Sequence, residues 1–329
     1  MSVVAPIFTR TINAVPMTRD EARCLVTCDL CDLLHAAHRI RHRFFNARVG
    51  LCAIVSAKTG GCGEDCAFCA QSARHAANVQ PQTLLSSSAQ LTDAVRNIAV
   101  LPVNCCGVIT SGGTPVRGKD RERLLATLKK LAPATRATLS VSLGQLDDGM
   151  LTALRAAGIR RIHHNLETSR RFFPQICTTH TYDDRLQTLR RARAMGFSVC
   201  SGGIFGMGET WEDRIDLAFA LYELDVRSIP LNFLHPIPGT PLADQPPLQP
   251  LEILRIIAMF RFILPTADLK VAGGRDVNLR DLQSWIFYAG ATSMMVGNYL
   301  TTQGRALEDD LRMLRDLDLN VTPPMCTRT

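Results

Sequence analysis

No part of this 329-residue chain stays apolar for long enough to suggest a membrane span. The most apolar stretch, "ILRIIAMFRFILP", is interrupted by Arg255 and Arg261, and a spanning helix needs about 20 residues with few charges. The opening residues "MSVVAPIFTRTINAVPMTRDEA" lack a basic start followed by a long apolar run, so no secretory leader is expected. Twelve cysteines among 329 residues are too few for a disulfide-built scaffold. With no leader expected, these thiols should stay reduced, the cytoplasm is the expected compartment, and clustered thiols point to metal or catalysis. No run is low in complexity, and the one proline-rich stretch, "PIPGTPLADQPPLQP" (236–250), reads as a loop within a domain. A GxGxxG turn after the first apolar run is also missing: "KTGGCGED" does not fit that pattern. The net charge of +7 is mild, reads first as a solvated surface, and gives no reason to expect nucleic acid or a membrane as partner.

Against these absences stands an apolar content of 46%, enough for a large core. Eight short apolar runs recur at 50–57, 103–110, 137–144, 159–167, 197–205, 227–235, 268–274 and 291–297. Helical patterns such as "DRERLLATLKKLA", "DDGMLTALRAAG", "YDDRLQTLRRARAMG" and "TWEDRIDLAFALYELD" lie between them, several closing on glycine. Strands alternating with helices predict a parallel α/β fold, and eight repeats predict a closed (β/α)8 TIM-type barrel. The expected boundaries are an N-terminal helical extension over 1–46, the barrel over 47–320 and a short tail over 321–329.

The spacing C-x3-C-x2-C occurs twice. Cys24, Cys28 and Cys31 fall at i, i+4 and i+7 of a helical pattern whose apolar side continues through Leu25, Leu34 and Ala37. They are expected along one helix face as small buried hydrophobes, so alanine should cost each only packing, about 1 kcal/mol. Cys62, Cys66 and Cys69 sit instead in "GGCGEDCAFC", where Gly60, Gly61 and Gly63 interrupt any helix directly after the first strand. Barrels place chemistry on such loops, so this triad is the candidate site. Three thiolates leave two centres open: zinc, with His75 as a fourth ligand, or a four-iron cluster with one iron unligated by protein.

The C-x3-C-x2-C pattern with Phe68 before its last cysteine is the signature of radical S-adenosylmethionine enzymes. "CGEDCAFCAQSARH" more narrowly resembles the biotin synthase family. "HRIRHRFFNARVGLCAI", "HHNLETS", "CTTHTYDDRL", "VCSGGIFGMGETWEDR", "PLNFLHPIPGTPL" and "AGGRDVNLRDLQ" are similar to that family's segments in their order, over roughly residues 36 to 320. The resemblance implies that Cys62, Cys66 and Cys69 hold a 4Fe-4S cluster whose open iron binds S-adenosylmethionine. It implies sulfur insertion into dethiobiotin by a 5′-deoxyadenosyl radical, with flavodoxin or ferredoxin as electron donor and a homodimer as the assembly. By the same resemblance Asn165 and Asn232 would touch the substrate ureido ring, and Arg185 would be a charged active-site residue. Phe68, Glu167, Gly203, Gly206, Gly208 and Glu209 would line the S-adenosylmethionine site. A polar strand-end cap is the plain alternative for Asn165.

The same family carries a second iron–sulfur cluster, 2Fe-2S in its familiar form, held by three cysteines and an arginine. The resemblance assigns Cys200 and Arg275 to two of those positions, whereas Ser140 and Gly107 stand where cysteines are expected. Cys105 and Cys106 lie just upstream of Gly107, and only one of two neighbouring strand residues can face inward. A variant auxiliary cluster drawing on Cys200, Cys105 or Cys106, Ser140 and Arg275 is therefore expected. A related radical enzyme that makes no C–S bond, a mutase or a cofactor maturase, is the alternative.

Overall fold

In the computed structural model, residues 3–321 are described. Eight parallel strands form a closed barrel: β1 (Arg48–Thr59), β2 (Cys105–Thr110), β3 (Thr138–Ser142), β4 (Arg161–His163), β5 in two segments (Ser198–Cys200 and Gly203–Phe205), β6 (Ser228–Phe233), β7 (Asp268–Val271) and β8 (Ser293–Met295). Each pairs with the next, and β8 closes on β1 through Gly50↔Ser293 and Cys52↔Met295. All eight expected strands are present, several shorter than their apolar runs. The 159–167 run leaves the sheet after His163, and the 197–205 run breaks at Ser201–Gly202. Helices Gly118–Leu131, Asp148–Ala156, Tyr182–Ala194 and Trp211–Glu223 occupy the expected intervals. Gly158 and Gly196 follow two of them at φ +87° and +76°, where a glycine avoids the Cβ penalty of a left-handed end.

Three helices precede the barrel: α1 (Val4–Ile12), α2 (Arg19–Thr27) and α3 (Leu30–Phe45). α3 packs on the helix Pro250–Ile263. Its buried Arg41 donates to the carbonyls of Ala291, Asn46 and Arg48, tying α3 to the starts of β1 and β8. Arg261 likewise donates to the carbonyls of Gly290, Leu264, Pro265 and Ala267. Arg261, one of the two arginines that break the apolar stretch, is thus used inside the fold, and no described helix is long and apolar enough to cross a membrane.

The first cysteine triad does not lie on one helix face. The helix stops at Cys28, which is extended (φ −66°, ψ 165°), and Asp29 starts α3 by accepting from the Asp32 N–H. Cys24 and Cys31 are exposed and Cys28 is half-buried. The i, i+4, i+7 spacing is helical on paper, but the Asp29 cap competes with helix continuation at that point. Arg255 closes the gap by donating to the carbonyls of Leu25 (3.0 Å) and Cys28 (2.9 Å). Replacing Cys24 and Cys31 together with alanine should therefore change stability by less than about 0.5 kcal/mol. Arg255→Ala should cost about 1–3 kcal/mol, because two helix-end carbonyls lose their donor. Urea denaturation midpoints distinguish the two outcomes.

Candidate active site

The loop after β1 begins with two consecutive left-handed glycines, Gly60 (φ +69°) and Gly61 (φ +62°), which reverse the chain over the barrel rim. The loop then folds back on itself. The Cys62 N–H donates to the Gln71 carbonyl, the Ala73 N–H to the Cys62 carbonyl, and the Cys69 N–H to the Cys66 carbonyl. Ser111 from beyond β2 fixes the Gly60 carbonyl at 2.7 Å. With the backbone satisfied in this way, the thiols of Cys62, Cys66 and Cys69 are left as the loop's soft donors. Burial pushes the Cys69 thiol above its usual pKa, and the bond to Cys177 together with burial does the same for Cys66. His75 turns its Nδ1 to the Cys69 carbonyl at 3.0 Å. Phe68 packs on the edge of the core between two of the thiols in sequence.

A second strip of chain lies against this loop. The Ala67 N–H donates to the Ile176 carbonyl (2.8 Å), and Asp65 accepts from the N–H groups of Thr178 (2.9 Å) and Thr179 (3.2 Å). Burial opposes the Asp65 charge, but the Thr178 hydroxyl together with these N–H groups outweighs it and holds the carboxyl far below the usual range. His180 meets Glu64 at 2.7 Å, and Arg185 donates to the other His180 ring nitrogen at 3.0 Å. Arg185 also reaches the Asn165 carbonyl (3.0 Å) and the Glu167 carboxylate (3.4 Å). Arg185, Asn165 and Glu167 are thus one connected group.

Asn165 and Asn232 both work on the break in β5. Asn165 accepts from the Gly202 N–H at 3.1 Å through its side-chain oxygen, and its amide N–H donates to Glu167 at 3.3 Å. Asn232 donates to the Gly203 carbonyl (3.1 Å) and accepts from the Gly273 N–H (2.9 Å). Both are half-buried, so part of each amide remains available to a ligand. Asn165 thus caps the Gly202 N–H, the polar strand-end role that stands as its plain alternative.

The glycine-rich segment after β5 has Gly206 at φ +93° and Gly208 at φ +102°. Glu209, expected among the cofactor contacts, is used internally instead. Its buried carboxylate accepts from the Gly206 N–H (2.9 and 3.1 Å), the Met207 N–H (2.8 Å) and Arg214 (2.8 Å). It shapes the loop and has no free lone pair aimed outward among these contacts. Gly203 is equally constrained, since a Cβ there would collide with the Glu167 carbonyl and Leu217.

Farther down the barrel lies a polar pocket of side chains. Cys105 is 3.5 Å from Ser140, and Cys52 stands opposite Cys105 across the β1–β2 pair. Cys200 lies 3.4 Å from the His163 ring and 3.4 Å from Ser228, which in turn meets Lys270 at 3.4 Å. Burial opposes ionisation of Cys200, but Lys270 and His163 outweigh it and bring the thiol down to about 7. Burial also opposes the charge on Lys270, yet the Cys52 and Cys200 sulfurs hold its amine well above the usual range. Cys106 points the other way, into the apolar layer, where burial lifts its thiol to about 12. Arg275 does not join this group. It lies in the helix Arg275–Leu279 beyond β7, fully buried, with its guanidinium taken by Asp310 and Gln283. Lys270, five residues earlier on β7, lies there instead, with Arg161 and His163 also beside the thiols, and Cys52 is a third thiol. Strand alternation from Gly50 onward, with β1 paired to β2 at Cys52↔Cys105, is the signal that could have found Cys52.

Glu209→Ala should therefore destabilise the ligand-free chain by about 3 kcal/mol, because it strips two buried backbone N–H groups of their acceptor and leaves buried Arg214 with only Glu252 of its two carboxylate partners. Chemical denaturation of the apoprotein measures this.

Residues 57–221 match the Radical SAM superfamily, and residues 230–320 match the Biotin and Thiamin Synthesis associated domain. The biotin synthase of Geobacter sulfurreducens is 49% identical over 315 residues, covering 95% of this chain and 95% of that protein. The biotin synthase of Heliobacterium modesticaldum is 51% identical over 293 residues, covering 89% of each. Among solved structures, methylornithine synthase superposes with a TM-score of 0.83 at 18% identity, over 96% of this chain and 97% of that one. The FeFe-hydrogenase maturase HydG from Carboxydothermus hydrogenoformans does so with a TM-score of 0.79 at 16% identity, over 99% and 80%. At such low identity these two likenesses speak to the fold alone. A rim loop with three thiols, a polar barrel mouth and this depth of sequence identity lead to one conclusion: the chain belongs to the biotin synthase family of radical SAM enzymes.

Proposed function

We propose that this chain converts dethiobiotin to biotin, using a site at the rim for radical generation and a buried site below it for sulfur. The observation that carries the reading is the vertical order of the barrel. Thiols crown β1, two amides stand at the ends of β4 and β6, and further thiols lie deeper on β1, β2 and β5. A radical that attacks most C–H bonds needs a dry interior and a substrate fixed between generator and sulfur source.

Cys62, Cys66 and Cys69 fit a four-iron cluster, since the loop around them is satisfied by its own backbone and His75 spends its Nδ1 on the Cys69 carbonyl. Such a cluster would supply one-electron reduction of S-adenosylmethionine, the chemistry radical formation needs. Glu167, fixed by Arg185 and Asn165 at φ +69°, offers a carboxylate to the cofactor's hydroxyl groups. Gly203, Gly206 and Gly208 offer close backbone approach. The free half of each amide on Asn165 and Asn232 can donate to and accept from a ureido ring. Arg185 balances the charge of Glu167 and holds the group together.

The buried site fits an auxiliary cluster with a changed ligand set. Cys52, Cys105 and Cys200 supply thiols. Ser140, His163 and Lys270 surround them, and Lys270 keeps Cys200 ready as a thiolate near neutral pH. Cys106 and Arg275 drop out of the proposal. The electron donor, flavodoxin or ferredoxin by family resemblance, and a homodimeric assembly remain part of the reading.

Replacing any one of Cys62, Cys66 or Cys69 with alanine should abolish 5′-deoxyadenosine formation from S-adenosylmethionine, as read by chromatography of anaerobic reactions. Retained formation in all three variants would remove the rim assignment. The triple variant of those residues, reconstituted with iron and sulfide, should still hold iron by Mössbauer spectroscopy. That iron should be lost when Cys200→Ala is added and kept when Arg275→Lys is added. No iron in the triple variant would leave the sulfur step without a source and favour a radical enzyme that makes no C–S bond.

A further inference from the structure

Cys177 is a buried thiol that the proposed chemistry does not use, and it faces Cys66. The two Sγ atoms are 3.8 Å apart. Their neighbours are joined on both sides. Ahead of and behind Cys66, Asp65 is bonded to Thr178 and Thr179, and the Ala67 N–H to the Ile176 carbonyl. The two segments are therefore pinned antiparallel-fashion with Cys66 and Cys177 directly opposite, much as a cross-strand pair is held. Neither cysteine lies inside a helix, so each side chain can turn without breaking a ladder. Closing from 3.8 Å to the bond length of about 2.05 Å then asks for side-chain rotation and little backbone movement.

We propose that Cys66 and Cys177 form a reversible disulfide when the rim cluster is absent, so that oxidation parks this ligand in a recoverable form. The functional side of this rests on Cys66 being a cluster ligand, whereas the bond itself does not. Hydrogen peroxide is a sufficient oxidant and small enough for a pair that is 8% and 4% exposed. One sulfur attacks the O–O bond to give a sulfenic acid and water. The second thiol then displaces the sulfenic oxygen as a second water, so two thiols lose two electrons and two protons to one peroxide. Without a thiol opposite, the sulfenic acid at Cys66 is open to further oxidation to sulfinic acid, which thiol reductants do not reverse. With the cluster bound, Cys66 is withheld from Cys177 and the bond cannot form.

The test uses the full chain stripped of iron, treated with one equivalent of hydrogen peroxide, digested without reduction and analysed by mass spectrometry. A cross-link between the peptide holding Cys66 and the peptide holding Cys177 is expected. It should persist in the Cys62→Ala, Cys69→Ala double variant and vanish in Cys177→Ser. Cross-links confined to Cys62, Cys66 and Cys69, or none involving Cys177, would overturn the proposal. In a second measurement, peroxide-treated wild type is reduced with dithiothreitol and reconstituted. It should regain the iron content of an untreated sample, whereas treated Cys177→Ser should regain less than half that of its own untreated control. Equal recovery in the two proteins would remove the protective role. If untreated Cys62→Ala, Cys66→Ala and Cys69→Ala variants all assembled a normal rim cluster, the ligand assignment would fail while the cross-link result stood by itself.

Discussion

The close approach of three backbones at Gly202 and Gly203 is the constraint on which the rest of the site depends. A Cβ at Gly202 would run into the Pro230 carbonyl of β6, and one at Gly203 into the Glu167 carbonyl after β4. Only a side-chain-free stretch lets β5 break there while its neighbours stay packed. The break leaves N–H and C=O groups without ladder partners, and a buried unpaired group costs about 1–3 kcal/mol. Asn165 and Asn232 answer that cost, each from an adjacent strand. Their amides are held still for a structural reason, and a rigid amide is what recognition of a flat polar ring requires.

The same economy governs the glycine-rich turn and the rim loop. Glu209 gathers two backbone N–H groups and Arg214. Asp65 gathers the N–H groups of Thr178 and Thr179. In both places a carboxylate of one sign organises a loop from within, where backbone dipoles and an N–H cluster stabilise it more than water would. Loops that carry reactive groups are thereby braced from within.

How much of this could be read from residues alone varies with what fixes each feature. The barrel was legible because burial imposes apolar runs and helix periodicity at every repeat. The loop around the second triad was legible because its glycines interrupt a helix, and Gly60 and Gly61 do take the left-handed conformations that glycine permits. The N-terminal triad misled because its spacing matches a helix to the residue, while one aspartate at position 29 ends that helix. Glu209 and Arg275 misled for a different reason. Each sits in a segment similar to the family's active-site motifs, yet its charge is neutralised by a partner, Arg214 or Asp310, that no local pattern reveals. Cys52 escaped notice because its run, "GLCAIVSA", reads as plain core, and only closure of the barrel turns that residue inward.

The interior charges follow from the same closure. Inside the barrel, Lys270, Arg161 and His163 share a small volume with Cys52, Cys105 and Cys200. Bringing cations there is unfavourable unless anions accompany them, because burial penalises each charge separately. Thiolates satisfy that demand only if they are ionised, and ionised thiolates in a buried site are strong ligands for iron. With serine and glycine at two expected cysteine positions, the cations favour ionisation of Cys105 and Cys200, whereas Cys52, opposite Cys105 and buried, is held in its thiol form. A barrel floor built of serines alone would have no reason to bury a lysine. Lys270 on β7 is therefore the buried cation whose charge most directly depends on the thiols around it.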